Sequence, residues 1–203
     1  MIADKIDRRT ERTRQALLAA FRDLVLDRPY ETLSVGDIVE RANVGRSTFY
    51  EHYDGKDALL SESVQGPFGT LAALVGAAEM PASLVGTIAH FRENQRVTRT
   101  LLAHPTRPVL TRSLAALIET RLAALADRSP LSPILADALT ALHLAAGQLA
   151  LIEHWLAAQH ACRPDAIAEA LFVSTNASVD ALYRRITPSN AAPAGSSTVG
   201  TPD

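Results

Sequence analysis

Apolar residues recur every three or four positions along most of the chain, which is the spacing of one face of an α-helix. Leu17, Phe21 and Leu24 show this spacing in the first such segment, from about Thr10 to Leu26. Alanine and leucine are abundant throughout, and both favour helices. The pattern therefore predicts an all-α fold of about nine helices. The later helices are predicted over residues 56–78, 82–96, 97–104, 108–127, 133–159 and 164–186.

A short amphipathic helix is predicted after the first one. Ser34 is placed to cap its N-terminus, and Asp37 stands at the third helical position, as in a capping box. Both residues also suit the positive end of the helix dipole. The apolar face of this helix carries Val35, Ile38, Val39 and Ala42. This spacing directs the helix against a small core.

A tight turn separates that helix from a second short one. Asn43 tolerates the left-handed backbone conformation that a sharp turn needs, and Gly45 is suited to cap the next helix. The second helix is predicted from Arg46 to Tyr53, with Phe49 and Tyr53 four positions apart on its core face. Two short helices joined by such a turn are typical of a helix-turn-helix motif.

The first turn of the second short helix carries residue types that read DNA. A recognition helix presents its N-terminal residues to base edges in the major groove. Arg46 suits a bidentate contact with guanine, and Ser47 and Thr48 suit contacts with bases or phosphates. The sequence therefore predicts binding to double-stranded DNA through this turn.

Net charge gives this interpretation no support. The chain carries a net charge of −2, and its first 60 residues hold ten Lys or Arg against eleven Asp or Glu. The prediction of DNA binding therefore depends on where the positive charges sit. These are Arg8, Arg9, Arg12 and Arg14 at the start of the chain, and Arg46 and Lys56 on either side of the second short helix.

The segment from Ser34 to Leu60 closely resembles the DNA-binding domain of the TetR/AcrR family of bacterial regulators. The resemblance extends from about Arg9 to Leu60, and its most specific part is the pattern Thr-Phe-Tyr-x-His-Tyr-x-x-Lys that ends at Lys56. It implies a three-helix DNA-binding domain over residues 1–60, followed by a helical ligand-binding and dimerisation domain over 61–186. The tail over 187–203 is rich in Pro, Ala, Ser, Gly and Thr, and we expect it to be disordered.

The resemblance also implies roles for single residues. Arg46, Ser47 and Thr48 match residues that commonly meet bases or nearby phosphates. Tyr50, His52 and Lys56 match residues that commonly contact the DNA backbone. The family usually has Gly where this chain has Asn43 and often Ser where it has Gly45, so one hydroxyl contact is lost at the turn. The predicted DNA-binding set is Ser34, Gly45, Arg46, Ser47, Thr48, Tyr50, His52 and Lys56.

Two later helices carry stripes that suit a homodimer. Leu135, Leu139, Leu142, Ala146, Leu149 and Leu156 recur near the spacing of a coiled coil. Ala170, Ser174, Ala177, Ser178 and Ala181 form a stripe of small residues. Pairing these helices between two copies predicts a four-helix bundle that presents two recognition helices to a palindromic operator, with half-sites about 34–36 Å apart. An ordinary core within one chain is the alternative for each stripe.

A small-molecule effector is expected to bind the helical domain that follows the DNA-binding segment. The candidate contacts are Phe68, Phe91, Leu114, His143 and Trp155, although residues of these types more often fill a core. His143 and His154 lie eleven positions apart, on nearly the same helix face. That spacing puts them roughly 16 Å apart along a helix, which argues against a shared metal ion.

No enzyme, cofactor or membrane span is predicted. The sequence has no Gly-rich phosphate loop, nucleophile elbow or His-Glu-x-x-His motif. Cys162 is the only cysteine, which fits a reducing cytoplasm and offers no resolving partner for a redox switch. We expect a cytoplasmic, nucleoid-associated bacterial regulator, most simply a repressor released from its operator by a small molecule. An activator and a helical small-molecule-binding or interaction protein are the alternatives.

Overall fold

The computed structural model describes residues 2–103, 105–127, 131–158 and 162–185, and in these ranges it describes the side chains of 8–103, 105–127, 133–158 and 162–183. The predicted tail over 187–203 lies outside the described residues. The described part of the chain forms ten α-helices and one short antiparallel pair of strands. The helices are α1 (Ile2–Asp27), α2 (Val35–Ala42), α3 (Arg46–His52), α4 (Lys56–Ser63), α5 (Gln65–Ala72), α6 (Ser83–Glu93), α7 (Gln95–Leu102), α8 (Arg107–Ala126), α9 (Asp137–Ala157) and α10 (Pro164–Leu182), and the strands are β1 (Leu131–Pro133) and β2 (Tyr183–Arg185).

The all-α prediction is confirmed, but several predicted helix boundaries were wrong: the helix predicted over 133–159, for example, begins at Asp137, after the strand β1. The helix predicted over 56–78 is divided into α4 and α5 at Val64. Pro67 accounts for this break, because it has no N–H to donate to the carbonyl of Ser63 one turn earlier. The first helix begins at Ile2 rather than near Thr10. The last one ends at Leu182 because the chain then pairs with β1, where Tyr183 lies opposite Pro133.

The first three helices pack around a core of their own side chains. Helix α1 contacts both α2 and α4, and α2 contacts α3. Phe21 of α1, Ile38 of α2 and Phe49 of α3 are almost fully buried. The core therefore fixes α2 and α3 relative to the much longer α1.

The remaining helices form a second layer that is continuous with this core. Helices α8 and α9 pack along each other, α10 packs on α6 and α9, and α5 packs on α8. Helix α4 contacts both α1 and α8, so the domain boundary predicted after Leu60 falls inside a helix that touches both layers. The boundaries 1–60 and 61–186 remain predictions.

Candidate functional site

The N-terminus of α2 is closed by the predicted capping box. The Ser34 N–H and hydroxyl donate to Asp37 Oδ2 at 2.8 and 2.6 Å, and the Asp37 N–H donates to Ser34 Oγ at 3.2 Å. Arg28 forms an ion pair with Asp37 Oδ1 at 2.9 Å. The hydrogen bonds from Ser34, followed by those from Arg28, lower the pKa of Asp37 to about 2. The capping role predicted for Ser34 is confirmed, and its DNA contact stays a prediction.

The turn between α2 and α3 has the predicted geometry. Asn43 adopts the left-handed conformation with φ 53° and ends α2. Gly45 caps α3 with extended backbone angles, φ −70° and ψ 149°, which any residue adopts. A Cβ at Gly45 would meet Thr48 Oγ1 at 3.6 Å, an ordinary contact. Serine would therefore fit at this position, and glycine is not required by space or backbone angle.

Helix α3 is held by one face and exposed on the other. Phe49 is completely buried, and its ring centre lies 5.7 Å from that of Tyr53, which is also buried. Arg46 and Ser47 are exposed, and Thr48 is half-buried. Tyr50 is 51% exposed and packs edge-on against Phe49. The predicted base-reading turn and Tyr50 are thus presented to solvent on a helix whose orientation the core fixes.

A cleft lies between the N-terminal part of α1 and the helix-turn-helix. It measures about 600 Å³, and its walls are residues 9–13 of α1 on one side and the α2–α3 turn and α3 on the other. Arg9, Thr10 and Thr13 line the α1 side, and Asn43, Val44, Gly45, Thr48, Glu51 and His52 line the other. The cleft brings Gly45, Thr48 and half-buried His52 together. Sequence reasoning had left the α1 residues out of the predicted set, although the run of arginines at the start of the chain was the available signal.

Lys56 is engaged inside the protein. Its ammonium donates to the carbonyls of Tyr30 and Leu33 at 2.9 and 2.8 Å, and it lies 4.4 Å from the centre of the Tyr30 ring. The Tyr30 hydroxyl donates to Asp57. Burial, together with this hydrogen bond, raises the pKa of Tyr30. Lys56 therefore links α4 to the segment before α2. Two of the three N–H groups of its ammonium are used in these hydrogen bonds, and the third remains for the predicted phosphate contact.

A second cavity of about 420 Å³ lies where the two layers of helices meet. Its walls come from α1, from the α4–α5 junction, and from helices α6 to α9. The lining is mainly apolar, with Phe21, Phe68 and Phe91 as its aromatic members. An apolar cavity of this size with a few polar groups is typical of a small-molecule site.

Two of the five predicted ligand contacts line this cavity, and the other three lie elsewhere in the protein. Phe68 and Phe91 line it, whereas Leu114, His143 and Trp155 do not. Leu114 is completely buried in the core, and His143 is exposed on α9. The Trp155 Nε1–H donates to the carbonyl of Cys162 at 3.1 Å. Sequence reasoning missed the α1 wall because it assigned residues 1–60 wholly to DNA binding.

The candidate dimer stripe on α9 divides into an exposed part and a buried part. Leu135, Leu139 and Leu142 are 40%, 56% and 43% exposed. Leu149 and Leu156 are buried in the core of the chain itself, so these two residues are core residues and not part of a dimer stripe. On α10, Val173 is 57% exposed, and the small residues Ala170, Ser174, Ala177 and Ala181 are exposed around it. Within the described residues, the N-terminal half of α9 and the outer side of α10 thus each expose apolar side chains.

The remaining candidate residues form no further chemical centre within the described ranges. There, no group of three or more His, Cys, Asp or Glu side chains is placed to hold a metal ion. His154 Nδ1 lies 2.9 Å from the carbonyl of Ala150, one turn earlier on α9. The thiol of Cys162 is free and exposed. None of the described helices is long and apolar enough to cross a membrane.

The fold and the exposed α3 define the chain as an all-helical protein of the helix-turn-helix class. Residues 17–62 match the family described as bacterial regulatory proteins, tetR family. The transcriptional regulator YxbF of Bacillus subtilis, named as uncharacterized, is 42% identical over 62 residues, and the activator DhaS of Lactococcus lactis is 34% identical over 59. These alignments cover 30% and 29% of this chain, and they span only 16% and 32% of the two relatives.

Similarity to a solved structure extends over more of the chain. A TetR transcriptional regulator from Streptococcus agalactiae superposes with a TM-score of 0.54, covering 86% of this chain and 99% of that one. The two are 24% identical in sequence, so this similarity establishes a shared fold. The match over residues 17–62 assigns this segment to the tetR family of bacterial regulatory proteins, and the shared fold extends over most of the chain.

Proposed function

We propose that the protein is a homodimeric repressor that binds a palindromic operator through α3 and is released by a small molecule. The observation that carries this proposal is the arrangement of α3: Phe49 is fully buried, while Arg46 and Ser47 stand exposed at the helix start. A recognition helix needs both properties, because base readout requires a fixed orientation and a free edge. In the described residues, Arg46 takes part in no ion pair.

The proposed DNA contacts fall into two groups. Arg46, Ser47 and Thr48 read base edges or nearby phosphates from the major groove. Tyr50 and His52 hold the DNA backbone beside them, and Arg9 joins this group because it lines the cleft next to α3. Lys56, Ser34 and Gly45 act chiefly by fixing the motif in place.

The exposed apolar side chains of α9 and α10 support the proposed dimer. Single exposed leucines are common on protein surfaces, but several on two neighbouring helices suit an interaction site. Leu139, Leu142 and Val173 provide the bulky contacts, and the small residues of α10 let a partner helix approach closely. A twofold pairing of these helices would give two α3 helices related by the symmetry of a palindrome.

The position of the ligand cavity supports release by an effector. Phe21, Val25 and Leu26 of α1 line it together with residues of α6 to α9. A bound molecule would therefore touch α1, which packs against α2, and α2 in turn packs against α3. Release requires that the ligand bind better to the arrangement of α1 that misplaces the two α3 helices.

Footprinting on the DNA upstream of the protein's own gene tests the operator proposal. We expect protection of two symmetric half-sites whose centres lie about 34–36 Å apart, on one side of the duplex. Protection that spreads evenly along the DNA would contradict a sequence-specific operator. An absence of any protection at low salt would favour a helical binding protein without a DNA target.

Release by an effector is tested with a pair of glycine variants on α5. Gly66 lines the cavity, and a Cβ there meets no atom within 4 Å. Gly69 has the same open surroundings but does not line the cavity. We expect Gly66→Leu to weaken the operator release that effector candidates cause, and Gly69→Leu to respond like the unchanged chain. Equal responses of the two variants would contradict this cavity as the effector site.

Activation is the second candidate, because one relative of the DNA-binding segment, DhaS, is named as a transcriptional activator. Deleting the gene separates the two, since loss of a repressor raises transcription from the operator-linked promoter and loss of an activator lowers it. The proposed target, chromosomal DNA, would place the protein in the bacterial cytoplasm without an enzymatic reaction or a cofactor.

A further inference from the structure

A smaller cavity adjoins the ligand cavity on the side of α1 and α7. It measures about 160 Å³. Val25, Leu26 and Val97 line both cavities, so these side chains form the partition between them. The other residues around the smaller cavity are Asp27, Arg28, Pro29, Arg96 and Thr100. A mainly apolar cavity thus adjoins a smaller and more polar one.

Two exposed arginine side chains, one in the lining of each cavity, provide positive charge beside them. Arg22 lines the larger cavity, and Arg96 lines the smaller one. Within the part of the chain that the structure describes, neither guanidinium has an ion-pair partner. Arg28 is paired with Asp37, and Asp27 is the acidic residue among the described lining residues. The positive charge of these two guanidiniums therefore exceeds the negative charge of the single carboxylate in the described lining.

The neutral polar groups of the larger cavity are already engaged with one another. Thr98 Oγ1 donates to the carbonyl of Asn94 at 3.1 Å. The Asn94 amide donates to the carbonyl of His90 at 3.0 Å, and its Nδ2 lies 3.2 Å from His90 Nδ1. Because they already have hydrogen-bond partners within the protein, these groups do not require a polar ligand beside them. Arg22 and Arg96 are the cationic lining residues without an ion-pair partner among the described residues.

We infer that the cavity takes an apolar molecule with an anionic end, of which a carboxylate is the simplest. This inference rests on the proposed role of the cavity as the effector site. The apolar body lies between Phe21, Phe68 and Phe91, and the carboxylate faces Arg22 and Arg96. A guanidinium presents a planar pair of donors that matches a carboxylate, and this charge-assisted pairing is stronger than a neutral hydrogen bond. A neutral or cationic end gains no such partner.

Calorimetric titration of the full chain with three probes of equal chain length tests the inference. The probes are decanoate, 1-decanol and decylamine, which share an apolar body and differ in charge. We expect decanoate to bind about tenfold or more tightly than 1-decanol, with decylamine the weakest. In the double variant Arg22→Gln plus Arg96→Gln, decanoate should lose that advantage while 1-decanol binds as before. Arg99→Gln on α7 is the matched control, because Arg99 lines neither cavity.

Three results would overturn the inference: no binding of decanoate, equal binding of decanoate and 1-decanol, or a preference for decanoate that survives the double variant. Operator release by each probe, measured in parallel, keeps this test separate from the proposed function. Decanoate that binds through the two arginines without releasing DNA supports the ligand class and contradicts release. Release by 1-decanol as effective as by decanoate supports the proposed function and contradicts the ligand class.

Discussion

The ammonium of Lys56 donates a 2.9 Å hydrogen bond to the carbonyl of Tyr30 and lies 4.4 Å from the centre of the same residue's ring. A second hydrogen bond, to the carbonyl of Leu33, means that Lys56 links α4 to the segment before α2. The resemblance to TetR-like domains implies a phosphate contact at this position. The structure adds an internal role that acts in the absence of DNA.

The variant Lys56→Met separates these two roles. It leaves two half-buried carbonyls without their charged donor, so we expect the free energy of unfolding to fall by about 1–3 kcal/mol. Chemical unfolding without DNA measures this loss. Arg46→Met is the control, because Arg46 is exposed and its removal should leave the stability unchanged. A Lys56→Met protein as stable as the unchanged chain, but with weak DNA binding, would show that the phosphate contact is its main role.

The capping box should make stability depend on pH in the acidic range. The pKa of Asp37 is about 2 in the folded protein, below the usual value of 3.8, because Ser34 and Arg28 favour the carboxylate. Because the pKa of Asp37 is lower in the folded protein than in the unfolded chain, its carboxylate stabilises the fold fully at pH values above the unfolded pKa. This contribution is lost as the pH falls through about 4 toward 2. Comparing the unfolding of Asp37→Asn and the unchanged chain across this range checks it. The difference between them should be constant near neutral pH and shrink below about pH 4. A difference that stays constant down to pH 2 would contradict the assigned pKa.

Gly76 should be the glycine least tolerant of a side chain. It has φ +68°, and a Cβ there would lie 3.0 Å from Leu125 Cδ1 of α8. We expect Gly76→Ala to lower the free energy of unfolding by about 1 kcal/mol or more. Gly69→Ala, inside α5 and in open space, should raise it by about 0.5–1 kcal/mol. Thermal unfolding of the two variants gives the comparison, and equal effects of the same sign would be inconsistent with the left-handed turn at Gly76.

The exposed face of α9 should control the oligomeric state. Leu139 is 56% exposed, and Leu139→Glu places a charge in the proposed four-helix bundle. We expect this variant to sediment as a monomer and to bind its operator about 100-fold or more weakly, because the two half-sites then bind independently. Met80→Glu, a matched change at a 39% exposed apolar residue between α5 and α6, should have neither effect. A single-chain mass for the unchanged protein at micromolar concentration would rule out the dimer.

The features that the sequence predicted well are local ones. The capping box at Ser34, the left-handed turn at Asn43 and the buried Phe49 each follow from side chains within a few positions of one another. The missed features join distant parts of the chain. Lys56 reaches carbonyls 23 and 26 positions earlier, and Phe21 of α1 meets helices α6 to α9 at the cavity. Helix periodicity shows which face is apolar but not which partner covers it, so Leu135 and Leu149 looked alike until packing separated them.

In the proposed function, the exposed start of α3 reads a specific DNA sequence. Fluorescence anisotropy of the chain with the duplex upstream of its own gene, against a scrambled duplex of equal composition, tests this most directly. We expect a clear preference for the upstream duplex and a loss of about 1–3 kcal/mol of that preference in Arg46→Ala, because a base contact is removed. Arg121→Ala, which changes an exposed arginine on α8, should leave the preference unchanged. Equal affinity for both duplexes, or an Arg46→Ala protein that discriminates as well as the unchanged chain, would show that α3 does not read the sequence.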